Sequence, residues 1–253
     1  MKKNKTCLLI SSLFILCLMP AAFVPAQTPL TGEEILKRID DNIGSDNKIA
    51  TAEMTIHGRR GSRSIKSKSW VSGEEKSYTE YLAPAREAGT KMLKLDDQLW
   101  TYIPSTDRTI KISGHMLRQS VMGSDLSYED LMEDPELLNL YEARVIEEET
   151  FLDRPCWILE LTAKVEDISY YSRKIWVDKE RYVSLKEERF ARSGKLLKIF
   201  EVKEVRQIQN RWVPTRMVFK DALKNGEGTE YSIDSIEFNA DIPESVFTKA
   251  SLR

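Results

Sequence analysis

Histidine is nearly absent from this chain: His57 and His115 are the only two in 253 residues, and they do not form a pair with metal-ligand spacing. A zinc site has little to build on. Cysteine is as sparse. Of three cysteines, Cys7 and Cys17 lie in the apolar N-terminal stretch, so Cys156 alone is left for the folded part and no intramolecular disulfide can form there. Cys156 opens an alternating strand pattern, where a cysteine packs as a small apolar residue more readily than it serves as a nucleophile. There is no nucleophile-elbow motif and no glycine-rich phosphate cradle. No catalytic residue, metal or cofactor is implied. An excess of basic charge is missing too, with 38 Lys and Arg against 40 Asp and Glu, which disfavours sequence-independent nucleic-acid binding.

Long apolar runs are also lacking. The best is Cys7 to Met19, short for a membrane span and broken by Pro20. With Lys2, Lys3 and Lys5 before it and Val24-Pro25-Ala26 after it, residues 1–26 read as a secretory signal that is removed before Gln27. Loss of those three lysines leaves 35 cations against 40 anions, a net charge of −5 in place of −2. Cys17 follows Phe14-Ile15-Leu16, a poor context for lipidation, so the mature chain is expected to be periplasmic, soluble and not membrane-spanning.

What is present is a short helical signal and then a long β pattern. Thr31 and Glu34 make a capping box, Ile35, Leu36, Ile39 and Ile43 share one face, and Gly44 stops the helix. This face either closes a core or covers a ligand cavity. From residue 48 the period becomes two, with Ala50, Ala52, Met54 and Ile56 alternating with polar residues. Turn signals then separate strands at 63–72, 76–82, 90–95, 98–103 and 109–112. After a break they resume at 140–149, 156–163, 170–178, 182–190, 195–206, 212–220 and 229–238. Phe247 ends a short docking turn. The reading is mainly β: residues 27–253 as one domain of roughly a dozen antiparallel strands in meander order. An open or half-closed sheet of that size has a concave face that needs cover.

The break, about 114–133, is the candidate lid. Such long connections are usually functional covers or disordered, and Met116, Leu117, Val121, Met122, Leu126, Leu131 and Met132 make this one too apolar for disorder. Asp125 or Ser127 is placed to cap a short helix over 127–133, with Glu129 and Asp130 near its positive end and the Tyr128 ring turned inward. The acidic pair Glu187-Glu188 and the run Glu147-Glu148-Glu149 are expected to be solvated. Arg59, Arg60, Arg63, Lys66 and Lys68 form a basic hairpin, either a solvated edge or a contact for anionic headgroups or an acidic partner.

Three runs then carry a resemblance: Pro84-Ala85-Arg86-Glu87-Ala88-Gly89-Thr90, Leu99-Trp100-Thr101-Tyr102-Ile103-Pro104 and Gly123-Ser124-Asp125-Leu126-Ser127-Tyr128-Glu129-Asp130-Leu131. With Ile175-Trp176-Val177-Asp178 and Asp241 to Phe247, they resemble the outer-membrane lipoprotein-sorting proteins of the LolA-like superfamily. Leu126 departs from the pattern, standing where an aromatic residue is expected. The resemblance implies a half-open antiparallel β-barrel over helices, with an apolar cavity for acyl chains. It further implies a non-enzymatic periplasmic carrier of lipid or lipoprotein acyl chains, working between an inner-membrane transporter and an outer-membrane acceptor. Ile35, Leu36, Ile39, Met54, Met92, Met116, Leu117 and Met122 are the candidate lipid-binding residues, with core packing open for each. The rival reading is a structural or adaptor protein of an envelope complex whose core is filled.

Overall fold

The computed structural model describes residues 29–44, 47–58, 61–133, 136–166 and 168–253. The proposed signal segment and Arg59 and Arg60 lie outside these. Helix α1 runs Gly32–Ile43 with Thr31 as N-cap, and both bonds of the capping box form, Glu34 N–H to Thr31 Oγ1 at 3.2 Å and Thr31 N–H to the Glu34 carboxylate at 2.8 Å.

Six strands follow: β1 Asn47–Gly58, β2 Gly61–Ser72, β3 Lys76–Ala83, β4 Lys91–Leu95, β5 Gln98–Ile103 and β6 Arg108–Ile112. Seven more come after the break: β7 Tyr141–Phe151, β8 Arg154–Ala163, β9 Ser172–Asp178, β10 Ser184–Phe190, β11 Leu196–Ile208, β12 Arg211–Asp221 and β13 Thr229–Phe238. All thirteen pair into one antiparallel sheet in the order β6-β5-β4-β3-β2-β1-β13-β12-β11-β10-β9-β8-β7. The sheet curves strongly and does not close.

This order explains the break. The first and last strands pair at the middle of the sheet, through registers such as Met54 opposite Tyr231. The two free edges, β6 and β7, are therefore consecutive in sequence. The chain between them has to cross the open side of the half-barrel. Bulges at Thr51/Ala52, Lys66/Ser67 and Val202/Glu204, among others, help bend the strands toward that side.

Three bodies fill or cover the curved sheet. Helix α1 packs Ile35, Leu36 and Ile39 against Tyr141, Ala143, Leu159, Leu161, Ile175 and Val177 on β7, β8 and β9. Gly32 permits this approach, since a Cβ there would meet the Ala143 carbonyl oxygen at 2.5 Å. The connection between β6 and β7 packs residues 116–132 on the concave face of the other half of the sheet, while Leu137, Leu138 and Leu140 at its end pack with the α1 cluster. It contains two 3-10 turns, Gly114–Arg118 and Val121–Gly123, then helix α2, Tyr128–Met132, and helix α3, Leu137–Leu140. The C-terminal turns dock Ile242, Phe247 and Leu252 on Tyr78, Leu93 and Trp100, the opposite face of β3, β4 and β5. The burial of Phe247 expected from the sequence is met.

Candidate functional site: a covered cavity on the concave face

Strand alternation sends Met54, Ile65, Tyr81, Met92 and Leu99 to the concave face, where they pack with Ile56 and Ile112. Met116, Leu117, Met122, Leu126, Tyr128 and Met132 of the connection pack against that group from above. Packing is incomplete. A cavity of about 180 Å³ remains between the sheet and Val121, Leu126 and Leu131 of the cover. Met54, Ile65, Tyr81, Met92, Leu99 and Tyr231 form its apolar lining, while Ser67, Ser69, Ser77 and Thr79 line the rest. The Tyr81 hydroxyl donates to Met92 Sδ at 3.3 Å, and burial pushes the phenols of Tyr81 and Tyr231 up from their ordinary range.

The cover is held at two kinds of point. Its first part is tied mainly through backbone carbonyls. Met122 and Gly123 both have positive φ, 52° and 72°, and this turn presents the Met122 carbonyl to the Arg63 guanidinium. Lys224 Nζ reaches Ser120 Oγ at 2.8 Å and the Ser124 carbonyl at 3.2 Å.

The second part is clamped by side chains. Asp125 accepts from Thr229 Oγ1 at 2.7 Å and from the Asp221 N–H at 3.1 Å, while Lys198 donates to its carbonyl. Ser127 rather than Asp125 caps α2, in a capping box with Asp130. Asp130 also faces the sheet, accepting from the Tyr170 hydroxyl at 2.5 Å and lying 3.4 Å from Arg189 and 3.6 Å from Lys198. Glu133 pairs with Arg173 and, at 3.2 Å, with Arg189. Both arginines meet on Glu187, at 2.6 Å and 3.1 Å. Arg173 is 1% exposed, its guanidinium 4.7 Å from the centre of the Tyr141 ring.

Burial alone pushes the carboxyls of Asp130 and Glu187 up. For Asp130 the bonds from Tyr170 and Ser127 and the Lys198 charge outweigh it, and for Glu187 the two arginines do, so both end below the usual carboxylate range. Desolvation brings Arg173 down to about 10, still a cation at neutral pH. The expectation that Glu187 is solvated is therefore wrong. It is 6% exposed and is the hub of an ionic cluster that fastens the cover. Arg173 and Arg189 were not singled out from the sequence, although Arg173 stands in phase with the buried Ile175 and Val177 on β9.

The candidate lipid-binding residues separate into two places. Met54 and Met92 line the cavity, and Met116, Leu117 and Met122 belong to the cover packed beside it. Ile35, Leu36 and Ile39 are buried with β7, β8 and β9 and line no part of it. Cys156 is buried, and burial pushes its thiol up to about 11. Among the described residues no group of three or more His, Cys, Asp or Glu is arranged to hold a metal, and no helix is long and apolar enough to cross a membrane.

Several solved structures share this architecture. A DUF1329 family protein from Desulfovibrio piger is 24% identical with a TM-score of 0.78, over 88% of this chain and 98% of that one. An outer membrane lipoprotein-sorting protein domain from Vibrio parahaemolyticus is 26% identical with a TM-score of 0.74, over 87% and 97%. A LolA superfamily protein from Nitrosomonas europaea is 25% identical with a TM-score of 0.73, over 88% and 100%. A comparison with curated proteins found no match. The open thirteen-stranded sheet with its helical cover is the LolA-like fold. Within that superfamily, the chain belongs to the family described as "Uncharacterized protein", whose model matches residues 73–253.

Proposed function

We propose that this protein is a non-enzymatic periplasmic carrier that shields lipid or lipoprotein acyl chains on their way to the outer membrane. An inner-membrane transporter is the donor in this scheme and an outer-membrane component the acceptor. The observation that carries the proposal is the apolar-lined cavity beneath a cover fastened by polar contacts to the sheet. Exposing a methylene to water costs about 0.8 kcal/mol, so a chain of about 16 carbons meets a barrier on the order of 12 kcal/mol to crossing an aqueous compartment bare. A carrier removes that barrier, yet it has to let the chain go. Methionines at 54, 92, 116 and 122 suit this task, since a flexible thioether adapts to chains of varied shape.

The cavity of about 180 Å³ equals only about six water volumes. A whole acyl chain therefore requires the cover to shift. The part that moves in this scheme is residues 114–123, tied by Arg63 and Lys224, while the segment from Asp125 to Glu133 stays clamped by Arg173, Arg189 and Lys198. The small volume also favours the rival reading, an envelope adaptor with a filled core.

Mass spectrometry of organic extracts from gently purified protein separates the two. Stoichiometric lipid, together with saturable binding of acyl probes, supports the carrier. Absence of both overturns it. Replacing Met116, Leu117 and Met122 together with serine is expected to weaken probe binding more than it lowers Tm, whereas an equal loss of both assigns these residues to the core.

A further inference from the structure

The apolar half of the cavity suits any aliphatic chain, but the other half is selective. Ser67, Ser69, Ser77 and Thr79 all line it. The register explains how two strands bring them together: on β2 and β3, Ser69 stands opposite Thr79, Val71 opposite Ser77 and Ser67 opposite Tyr81. On the other side of β2, Ala52 faces Ser67 and Ala50 faces Ser69, so small side chains leave room beside the hydroxyls. A sheet built only for a packed core places branched apolar residues at such positions.

We infer that this hydroxyl row is a recognition subsite for an uncharged, oxygen-bearing linkage, an ester or an alcohol, at the head of the bound chain. This inference rests on the carrier reading and assigns the class of its cargo. Ser69 and Thr79 share one hydrogen bond of 2.8 Å, which leaves the pair one hydroxyl hydrogen and free lone pairs. Ser67 lines the cavity with its hydroxyl accessible to the cavity space. An ester or alcohol oxygen entering there gives that hydroxyl a partner in place of water.

Charge argues in the same direction. Among the described residues lining the cavity there is no carboxylate, ammonium or guanidinium. Two cations stand on this face at the end of the hydroxyl row, Lys48 opposite Val71 on β1 and Lys94 opposite Ser77 on β4, and neither is free: the Lys94 ammonium donates to the Glu74 carbonyl at 2.9 Å, and Lys48 is partnered as well. A carboxylate or phosphate placed among the hydroxyls loses its hydration without meeting a free cation. Neutral heads are therefore accepted and anionic heads excluded.

The test uses delipidated full-length mature protein and a neutral fluorescent naphthylamine probe, displaced in turn by monoolein and by oleate at pH 8. Monoolein is expected to displace the probe at least about 3-fold more effectively than oleate. Ser67→Ala combined with Ser69→Ala is expected to weaken monoolein about 3- to 10-fold more than it weakens the probe, the scale of one or two neutral hydrogen bonds. Thr79→Val is expected to behave likewise and Thr79→Ser to restore affinity, which separates the hydroxyl from its packing. The inference is overturned if the serine variant binds monoolein unchanged, or if oleate binds as well as monoolein. If probe, monoolein and oleate all fail to bind, the carrier reading falls and this inference with it. If they bind without regard to the hydroxyls, only the inference falls.

Discussion

Replacing Asp130 with alanine removes one carboxylate that does two jobs. It closes the capping box of α2, with the Ser127 N–H at 2.7 Å, and it ties that helix to the sheet through Tyr170, Arg189 and Lys198. The side chain is 5% exposed, so solvent screens these contacts little. Loss of a cap costs about 1 kcal/mol, and breaking a buried charged pair costs about 3–5 kcal/mol because the partner cation is left short of its counter-charge. The two overlap on one carboxylate, so the larger range is the fair expectation for both. For a chain of this size that is a fall in Tm of about 6–20 °C.

Glu129 is the internal control. It sits beside Asp130 in the first turn of the same helix and has no hydrogen bond to the sheet among the described residues. Glu129→Ala is expected to cost only the helix-dipole contribution, about 0.3–1 kcal/mol, or about 1–4 °C. Asp130→Asn keeps acceptor capacity for the cap but loses the charge, and should fall between the two. Melting followed by circular dichroism at pH 7 decides. If Asp130→Ala melts within the range of Glu129→Ala, the ionic cluster is not what fastens the cover.

Three further outcomes are expected. Arg63 is about half-exposed, its side chain 45% accessible, so Arg63→Ala should change Tm by no more than about 4 °C yet speed probe uptake in stopped-flow mixing; unchanged uptake would show that its bond to the Met122 carbonyl does not restrain the cover. Asp130 and Glu187 bind protons less tightly folded than unfolded, so their stabilisation is complete above about pH 5, where the unfolded carboxyls are ionised, and is lost as pH falls from there through their depressed values. Tm should therefore drop below about pH 5, and less steeply in Asp130→Asn; an identical acid limb in the variant argues against the assignment. The Cys156 thiol, buried and pushed up to about 11, should resist iodoacetamide at pH 8 in the folded protein and react on unfolding in urea; fast labelling of the native state would refute its burial.

Much of the architecture was readable without coordinates because it rests on local patterns. The capping box at Thr31 and Glu34 set the start of α1, and Gly44 its end. Period-two alternation and turn residues placed the strands to within a few residues, with 98–103 and 229–238 matching β5 and β13 in full. The polar string from Ser124 to Leu131 read correctly as a capped structural element, since Ser127 and Asp130 need only three residues of spacing to find each other. The site was less accessible. Strand phase says that Ser67 and Ser69 share a face, but not that Ser77 and Thr79 join them. Glu187 looked solvated because the arginines that bury it come from β9 and from two positions further along its own strand. The helix face Ile35, Leu36 and Ile39 was correctly apolar, yet nothing local tells that it meets β7 to β9 and not the cavity.

The sequence by itself determined a chain of short antiparallel strands, one amphipathic helix and an apolar connection too long for a turn, and it showed no metal-ligand spacing or nucleophile motif. Periodicity, caps and composition act over a few residues, which is why they survive without coordinates. Only the tertiary structure decided that β1 pairs with β13, so that the sheet's free edges are neighbours in sequence and their connection must cross the opening. It alone brought Asp130, Glu133, Arg173, Glu187 and Arg189 into one cluster and set a row of hydroxyls beside Met54 and Met92 on one face of the sheet. Those features depend on contacts between residues far apart in the chain, and no window along the sequence contains both partners.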